Sequence, residues 1–146
     1  MAFVAPRLLL VWDPQGGLCD RVVPALTEQL VARAFEVDAR PLSEASRVEL
    51  RRYTGLVLGV PVPGAGLRRH GPSAAVEDFL AAQDQLDEVK TALFCVYRVR
   101  PGHTLRNTRQ RVHDLGGEVV IGHAYSAARP TWQDHVLPAE CMVRIR

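Results

Sequence analysis

Five short apolar runs constrain the fold of this chain more than any other feature. They are Leu8–Trp12, Phe35–Ala39, Leu56–Pro61, Ala92–Tyr97 and Glu118–Gly122. All but the second are almost continuously apolar, as strands are when a parallel sheet is covered on both faces. The second run alternates apolar with acidic residues, which is typical of a strand at the edge of a sheet.

Helical patterns lie between the runs. After the first run, Val22, Leu26 and Leu30 recur on one helical face, and Asp20 is the expected N-cap. Pro24 fits such a helix only near its start, so we expect the preceding loop to extend to Asp20.

Three further helices are predicted later in the chain. Ser43 is expected to cap a short helix that ends at about Arg52, and Ser73 to cap the next one. The last helix would begin near Thr104 and end at Gly116. Strands and helices then alternate in β-α-β-α-β-α-β-α-β order, which predicts a doubly wound α/β sheet with right-handed crossovers.

The residues after the fifth run are not typical of a covering helix. Pro130 and Pro138 leave room for at most about two helical turns, over Thr131–Leu137, and Cys141–Arg146 is typical of an extended strand. This atypical C-terminal tail would leave one face of the sheet thinly covered. We expect a homodimer contact, or the tail itself, to complete the cover.

Composition restricts location and partners. The 146 residues are enough for one domain, 1–146, with its own core, and 47% of them are hydrophobic. The apolar runs are too short for a membrane span or a signal sequence, so we expect a cytoplasmic protein that does not bind membranes. A net charge of +2 is too small to indicate nucleic-acid binding. Three cysteines without a CxxC motif, and five histidines without ligand spacing, indicate neither a disulfide framework nor a metal site.

Three loops are expected to meet at the carboxyl edge of the sheet, where open parallel sheets bind ligands. They follow the first, third and fourth runs, and they contain WDPQGGLCD, VPVPGAGLRRHG and YRVRPGHT. The first loop joins a strand to a helix through two glycines. Such a loop can bind a phosphate through backbone N–H groups and the helix N-terminus.

The sequence resembles the flavodoxin-like superfamily, and more specifically its flavin-dependent quinone reductases, from about Leu8 to Tyr125. The resemblance rests on YTGLVLGVPVPGAG at the third strand, FLAAQ in the next helix, VKTALFCVY leading into the fourth strand and LGGEVVIGHAYS at the fifth. It implies a flavodoxin-like three-layer α/β sandwich with a five-stranded parallel sheet in the order 2-1-3-4-5. It also implies an FMN at the switch point of the sheet.

The resemblance identifies a phosphate loop that departs from the family pattern. The family's first loop is similar to Ser/Thr-x-Thr-Gly-x-Thr, and with Gly16 as the loop glycine its hydroxyl positions hold Asp13, Gln15 and Leu18. An apolar residue at the Leu18 position also resembles the quinone reductases. The Asp13 carboxylate would repel a phosphate dianion, which Arg21 could offset.

Cofactor-binding residues are carried over from the same resemblance. The first loop would bind the phosphate, and the third and fourth loops would frame the flavin ring, although Arg98 could instead fill the pocket. Cys19, near a helix N-terminus, would have a lowered thiol pKa and some reactivity, unless it is simply buried. The expected FMN-binding residues are Asp13, Gln15, Gly16, Gly17, Leu18, Cys19, Pro63, Gly64, Tyr97 and Arg98.

Two functions remain open at this point. In the first, an FMN-binding protein carries electrons to a redox partner or reduces a small quinone-like substrate, which would make it an FMN-dependent oxidoreductase. In the second, a degenerate flavodoxin-like module without flavin acts through protein–protein contacts, using an Arg-rich fourth helix or the tail face. The two differ at Asp13, because Asp13→Ser should tighten FMN binding only if FMN binds.

Overall fold

The computed structural model describes residues 6–45, 48–62, 72–84 and 86–128. Five parallel strands form one sheet in the order β2-β1-β3-β4-β5, so the predicted order 2-1-3-4-5 is confirmed. The strands are β1 (Arg7–Trp12), β2 (Glu36–Pro41), β3 (Gly55–Val62), β4 (Lys90–Tyr97) and β5 (Glu118–Ser126).

Three α-helices connect the strands within the described residues: α1 (Leu18–Ala32), α2 (Ala74–Ala81) and α3 (Thr104–Asp114). The predicted cap of α2 is confirmed, since the Ser73 hydroxyl accepts a hydrogen bond from the N–H of Val76 at 3.5 Å. The start of α3 at Thr104 is confirmed as well. None of the described helices has the length and apolar character needed to cross a bilayer.

The predicted helix from Ser43 to Arg52 is wrong. The described residues of this connection form two short 3₁₀ turns, Leu42–Glu44 and Leu50–Arg52. Ala45 and Leu50 are both fully buried. Ser43, the expected cap, lies inside the first of these turns, and no side-chain hydrogen bond caps that turn.

The first helix begins earlier than predicted. Its N-cap is Gly17, with a left-handed φ of +68°, and Pro24 lies inside the helix. Asp20 is not the cap; its carboxylate accepts a hydrogen bond from the Trp12 indole N–H at 2.7 Å. The early start allows Leu18 to be fully buried in the core below α1.

The sheet separates two apolar layers. Along β1, Leu8 and Leu10 pack on the α1 side, whereas Leu9 and Val11 pack on the side covered by α2, α3 and the 3₁₀ turns. β3 is buried along its whole length, and β2 at the edge is only partly buried. The apolar patterns therefore predict burial correctly for β1 to β4, whereas β5, which was also expected to be covered on both faces, is only partly buried.

The strand ends set the position of the loops. The N–H of Asp13 donates to the Gly59 carbonyl at 3.2 Å, which fixes the loop after β1 against β3. The N–H of Ala127 donates to the Tyr97 carbonyl at 2.8 Å, which fixes the end of β5 against β4. The C-terminal tail and the homodimer contact predicted from it lie outside the described residues.

Candidate functional site at the carboxyl edge

The loop between β1 and α1 reverses direction through two glycines. Gly16 and Gly17 have φ values of +69° and +68°, in the left-handed region that residues with a Cβ rarely adopt. The N–H of Gly17 donates to the Pro14 carbonyl at 3.0 Å and closes the turn. The strand thus passes into α1 with the helix N-terminus at the carboxyl edge of the sheet.

The start of α1 places helix N–H groups at the carboxyl edge of the sheet. The first N–H groups of an α-helix have no acceptor within the helix, and here they belong to Leu18, Cys19 and Asp20. The helix dipole adds a partial positive charge at the same place. These are the backbone features on which the sequence-based prediction of a phosphate loop depends.

Asp13 is buried, with 6% of its surface exposed, and its carboxylate is used within the protein. One oxygen accepts a hydrogen bond from the N–H of Gln15 at 3.0 Å, and the other accepts one from the Ser73 hydroxyl. Because Ser73 also caps α2, Asp13 links the first loop to the N-terminus of α2. The carboxylate is thus compensated by two donors, although it takes up one backbone N–H of the loop.

A guanidinium group from the loop after β4 reaches the first loop. A Cβ added to Gly16 would lie 3.9 Å from Nη2 of Arg98. Arg98, which the resemblance assigns to the ring, thus lies beside the predicted phosphate loop and brings a positive charge there. Arg21, the expected source of that charge, donates instead to the Ala127 carbonyl at 3.5 Å.

The structure describes only some of the residues that were expected to frame the flavin ring. Tyr97 is half-buried at the end of β4, next to Arg98 in sequence. Pro63 and Gly64 lie outside the described residues. Val99 is 63% exposed in the loop after β4 and was not predicted as a site residue. The sequence feature that could have drawn attention to Val99 is its position between Arg98 and Arg100 in a loop.

Cys19 is not a reactive thiol in this structure. Burial raises its pKa far above the ordinary value, and the nearby Asp13 carboxylate adds to the effect. The predicted lowering of the Cys19 pKa is wrong, because the rise caused by full burial is larger than the lowering expected from the helix N-terminus. Cys95 on β4 is likewise buried, which raises its pKa to about 12.

Two other chemical features bear on the site. A cavity of about 430 Å³ lies between the first loop, the turn after β2 and α2, with Asp13, Pro14, Leu42 and Phe79 in its wall. It was not predicted, because it lies beside a connection that the sequence pattern assigns to a helix. Among the described residues, no group of three or more His, Cys, Asp or Glu side chains could hold a metal ion.

No protein-family model and no curated protein matches the sequence. Solved structures do match. Two-electron reduced flavodoxin from Megasphaera elsdenii aligns with a TM-score of 0.71 at 18% identity, over 86% of this chain and 93% of that chain. Flavodoxin 2 from Bacillus cereus aligns with a TM-score of 0.65 at 20% identity, over 82% and 84% of the two chains. Flavodoxin from Fusobacterium nucleatum bound to flavin mononucleotide aligns with a TM-score of 0.58 at 14% identity, over 79% and 69%.

These similarities agree with the sheet order and with the placement of α1, α2 and α3. At such low identity they bear on the fold alone. The chain has the flavodoxin-like fold that its sequence resembles.

Proposed function

We propose that this protein binds FMN at the carboxyl edge of its sheet and transfers electrons. The observation that carries the proposal is the guanidinium of Arg98 beside the left-handed Gly16 of the first loop. A phosphate dianion is recognised by this combination of a guanidinium, backbone N–H groups and a helix N-terminus. The flavodoxin of F. nucleatum, which is bound to flavin mononucleotide, has a similar fold and supports the choice of ligand.

The residues present fit a phosphate despite the missing hydroxyls. Arg98 would provide the charged donor, and Leu18 and Cys19 would provide N–H groups at the start of α1. Asp13 does not oppose this arrangement as strongly as its charge suggests, since Gln15 and Ser73 donate to its carboxylate. The flavin would supply the chemistry by accepting and returning electrons, and the protein would bind and orient it.

One observation favours a second candidate function, a flavodoxin-like module that works without flavin. The Asp13 carboxylate accepts a hydrogen bond from the N–H of Gln15, in the loop where a phosphate would bind. An internal carboxylate can thus take the place of one ligand contact. Under this alternative the shape of the loop has only a structural role, and function resides in the protein's surfaces.

The experiment that separates the two functions is an absorbance spectrum of the freshly purified protein, followed by titration with FMN and with riboflavin, which lacks the phosphate. Arg98→Ala should weaken FMN binding by about tenfold or more, since a hydrogen bond to a charged group contributes roughly 1.5–3 kcal/mol. Riboflavin binding should stay unchanged, because riboflavin has no phosphate for Arg98 to contact.

The matched control is Arg52→Ala, which removes the same charge from the turn before β3, at the amino edge of the sheet. It should bind FMN as the parent chain does. If Arg98→Ala also binds FMN like the parent chain, the proposed phosphate contact is wrong. If the parent chain takes up no FMN, the alternative without flavin is the correct one.

A further inference from the structure

The loop after β4 and the helix that follows it are basic along their whole length. From Arg98 to His113 the sequence holds five arginines and two histidines, and no acidic residue. Four of the arginines are exposed and form no ion pair with any residue that the structure describes. One of the four, Arg98, lies beside Gly16 of the first loop, and the other three lie further along the loop and on α3. These three, called the basic patch, are Arg100, Arg106 and Arg109.

Local structure explains Arg109 only in part, since its guanidinium donates to the Val119 carbonyl at 3.5 Å, and the dipole of α3 disfavours Arg106. Arg106 lies in the first turn of α3, which contains no acidic residue. A cation at a helix N-terminus is disfavoured by roughly 0.3–1 kcal/mol, whereas an anion there is stabilising. Arg109 lies one turn further on the same helical face, so the two like charges also repel each other. An anionic partner would reverse both effects.

Arg111, on the same helix, is an arginine whose contacts stabilise the fold. It lies in the last turn, where a cation interacts favourably with the helix dipole, and its guanidinium donates to the carboxylate of Glu77 on α2. The arginines of the basic patch have neither feature. The contrast within one helix indicates that the patch serves binding rather than folding.

Val99 adds an apolar contact at the edge of the basic patch. Its side chain is 63% exposed and is preceded by Arg98 and followed by Arg100 in the same loop. An exposed apolar side chain with a charged rim is typical of protein–protein contacts. A small anion would be bound by the arginines alone and would leave Val99 in solvent.

We propose that the basic patch and Val99 form the docking surface for an acidic electron-transfer protein. The electron-transfer part rests on the proposed function, because Arg98 connects this loop to the loop that would hold FMN. A partner docked on Val99 and Arg100 would lie next to the bound flavin. Opposite charges on the two proteins would speed their encounter and select the partner.

The surface around the patch favours a compact acidic protein over a long polyanion. On α2 and in the connection that follows it, Asp78, Asp84 and Asp87 are exposed, and these carboxylates would repel a nucleic-acid strand that extended past α3 to reach them. The net charge of the whole chain is only +2. A compact partner can contact the basic patch without reaching these acidic residues.

The test measures association of the full chain, with no FMN added, with a strongly acidic ferredoxin and with basic cytochrome c. The variant Arg100→Glu with Arg106→Glu should weaken ferredoxin binding by about tenfold or more at low ionic strength. The control, Arg51→Glu with Arg52→Glu, makes the same change in net charge at the amino edge of the sheet and should change binding by less than about twofold. Val99→Ala should weaken binding without altering its dependence on salt, because it removes an apolar contact.

Three results would overturn the docking surface. They are equal losses in the two double variants, tighter binding of cytochrome c than of ferredoxin, and binding of a single-stranded oligonucleotide with the same sensitivity to the Arg100 and Arg106 changes. An FMN titration of the parent chain separates this inference from the proposed function. Ferredoxin binding without FMN binding contradicts the proposed function alone, and FMN binding without ferredoxin binding contradicts the docking surface alone.

Discussion

Asp13 shows how the meaning of one residue depends on its partners. From the sequence alone, a carboxylate in a phosphate loop is expected to repel the phosphate dianion. In the structure, the same carboxylate accepts hydrogen bonds from Gln15 and Ser73, so part of its charge is balanced within the protein. The residue thus has two opposed effects: it stabilises the loop, and it opposes a phosphate bound there.

Replacing Asp13 by Ser should separate these effects. FMN binding should become about fivefold tighter, because roughly 1 kcal/mol of charge repulsion is removed. The unfolding free energy should fall by about 1–3 kcal/mol, because Ser73 and Gln15 lose a charged acceptor. FMN titration and urea unfolding measure the two quantities.

Asp78→Ser is the matched control, since it removes an exposed carboxylate from the neighbouring helix α2. It should change neither quantity appreciably. Unchanged FMN affinity in Asp13→Ser would mean that the carboxylate does not face the phosphate at all, and unchanged stability would mean that its two hydrogen bonds contribute nothing.

At the scale of elements, the ring of Phe94 on β4 packs over Gly59 on β3 and leaves no room for a Cβ there. A Cβ on Gly59 would lie 2.4 Å from Cζ of Phe94, which is fully buried on β4. Gly122 on β5 offers the contrast, because a Cβ there would lie at an ordinary 3.7 Å from Leu105. The position of the Phe94 ring in the core therefore depends on a glycine at position 59.

Gly59→Ala should lower the unfolding free energy by about 1–3 kcal/mol through overpacking. Gly122→Ala should have a much smaller effect. Adding Phe94→Leu to Gly59→Ala should recover part of the loss, since the smaller side chain vacates the space of the ring. Urea unfolding of the variants tests this, and equal effects of the two alanine substitutions would contradict it.

The edge strand β2 is held by a polar cluster. The Tyr53 hydroxyl donates to the carboxylate of Asp38, and Arg40 donates to both oxygens of the same carboxylate, at 2.7 and 3.1 Å. Burial acts to raise the pKa of Asp38, but the hydrogen bonds from Tyr53 and Arg40 outweigh it and lower the pKa below the ordinary value.

This lowered pKa makes β2 a source of acid sensitivity. A carboxyl group with a lower pKa in the folded state adds stability above its unfolded pKa of about 4, and this stability is lost as the pH falls through the folded value. Tyr53→Phe should raise the pKa of Asp38 and reduce the loss of stability below about pH 4. An NMR titration of the Asp38 carboxyl measures the shift, and an unchanged titration would show that the Tyr53 hydrogen bond has no effect on it.

For the whole molecule, the sequence predicts the sheet well because its signals are local. Continuous apolar runs identify the buried strands β1, β3 and β4, although the similar run of β5 is only partly buried. Ser73 identifies the start of α2. The prediction of a helix after β2 fails because Ser43, which has the sequence signature of an N-cap, lies inside a 3₁₀ turn and caps no helix. The predicted start of α1 is too late because the observed start depends on the left-handed backbone of Gly17, which a sequence pattern does not show.

The site is less predictable than the fold, since its contacts join distant parts of the chain. The two glycines of the first loop and the helix after them are visible in the sequence. The partner of Asp13 is Ser73, sixty residues away, and the neighbour of Gly16 is Arg98 from the loop after β4. A local sequence pattern does not predict these two contacts. Together they determine how the Asp13 carboxylate and the Arg98 guanidinium would affect a phosphate bound at the loop.

Ligand binding at this edge should be visible in the stability of the whole molecule. The first loop is hydrogen-bonded to β3, and the end of β5 is hydrogen-bonded to β4. A ligand that binds this edge only in the folded state therefore raises the unfolding free energy of the whole sheet. At a free FMN concentration of about 100 times its dissociation constant, the gain is roughly 2.7 kcal/mol. For a chain of this size, that gain should raise Tm by roughly 5–10 °C. At the same FMN concentration Arg98→Ala should show a smaller rise than the parent chain and Arg52→Ala the same rise, whereas a Tm that FMN leaves unchanged in the parent chain would contradict binding at the folded edge.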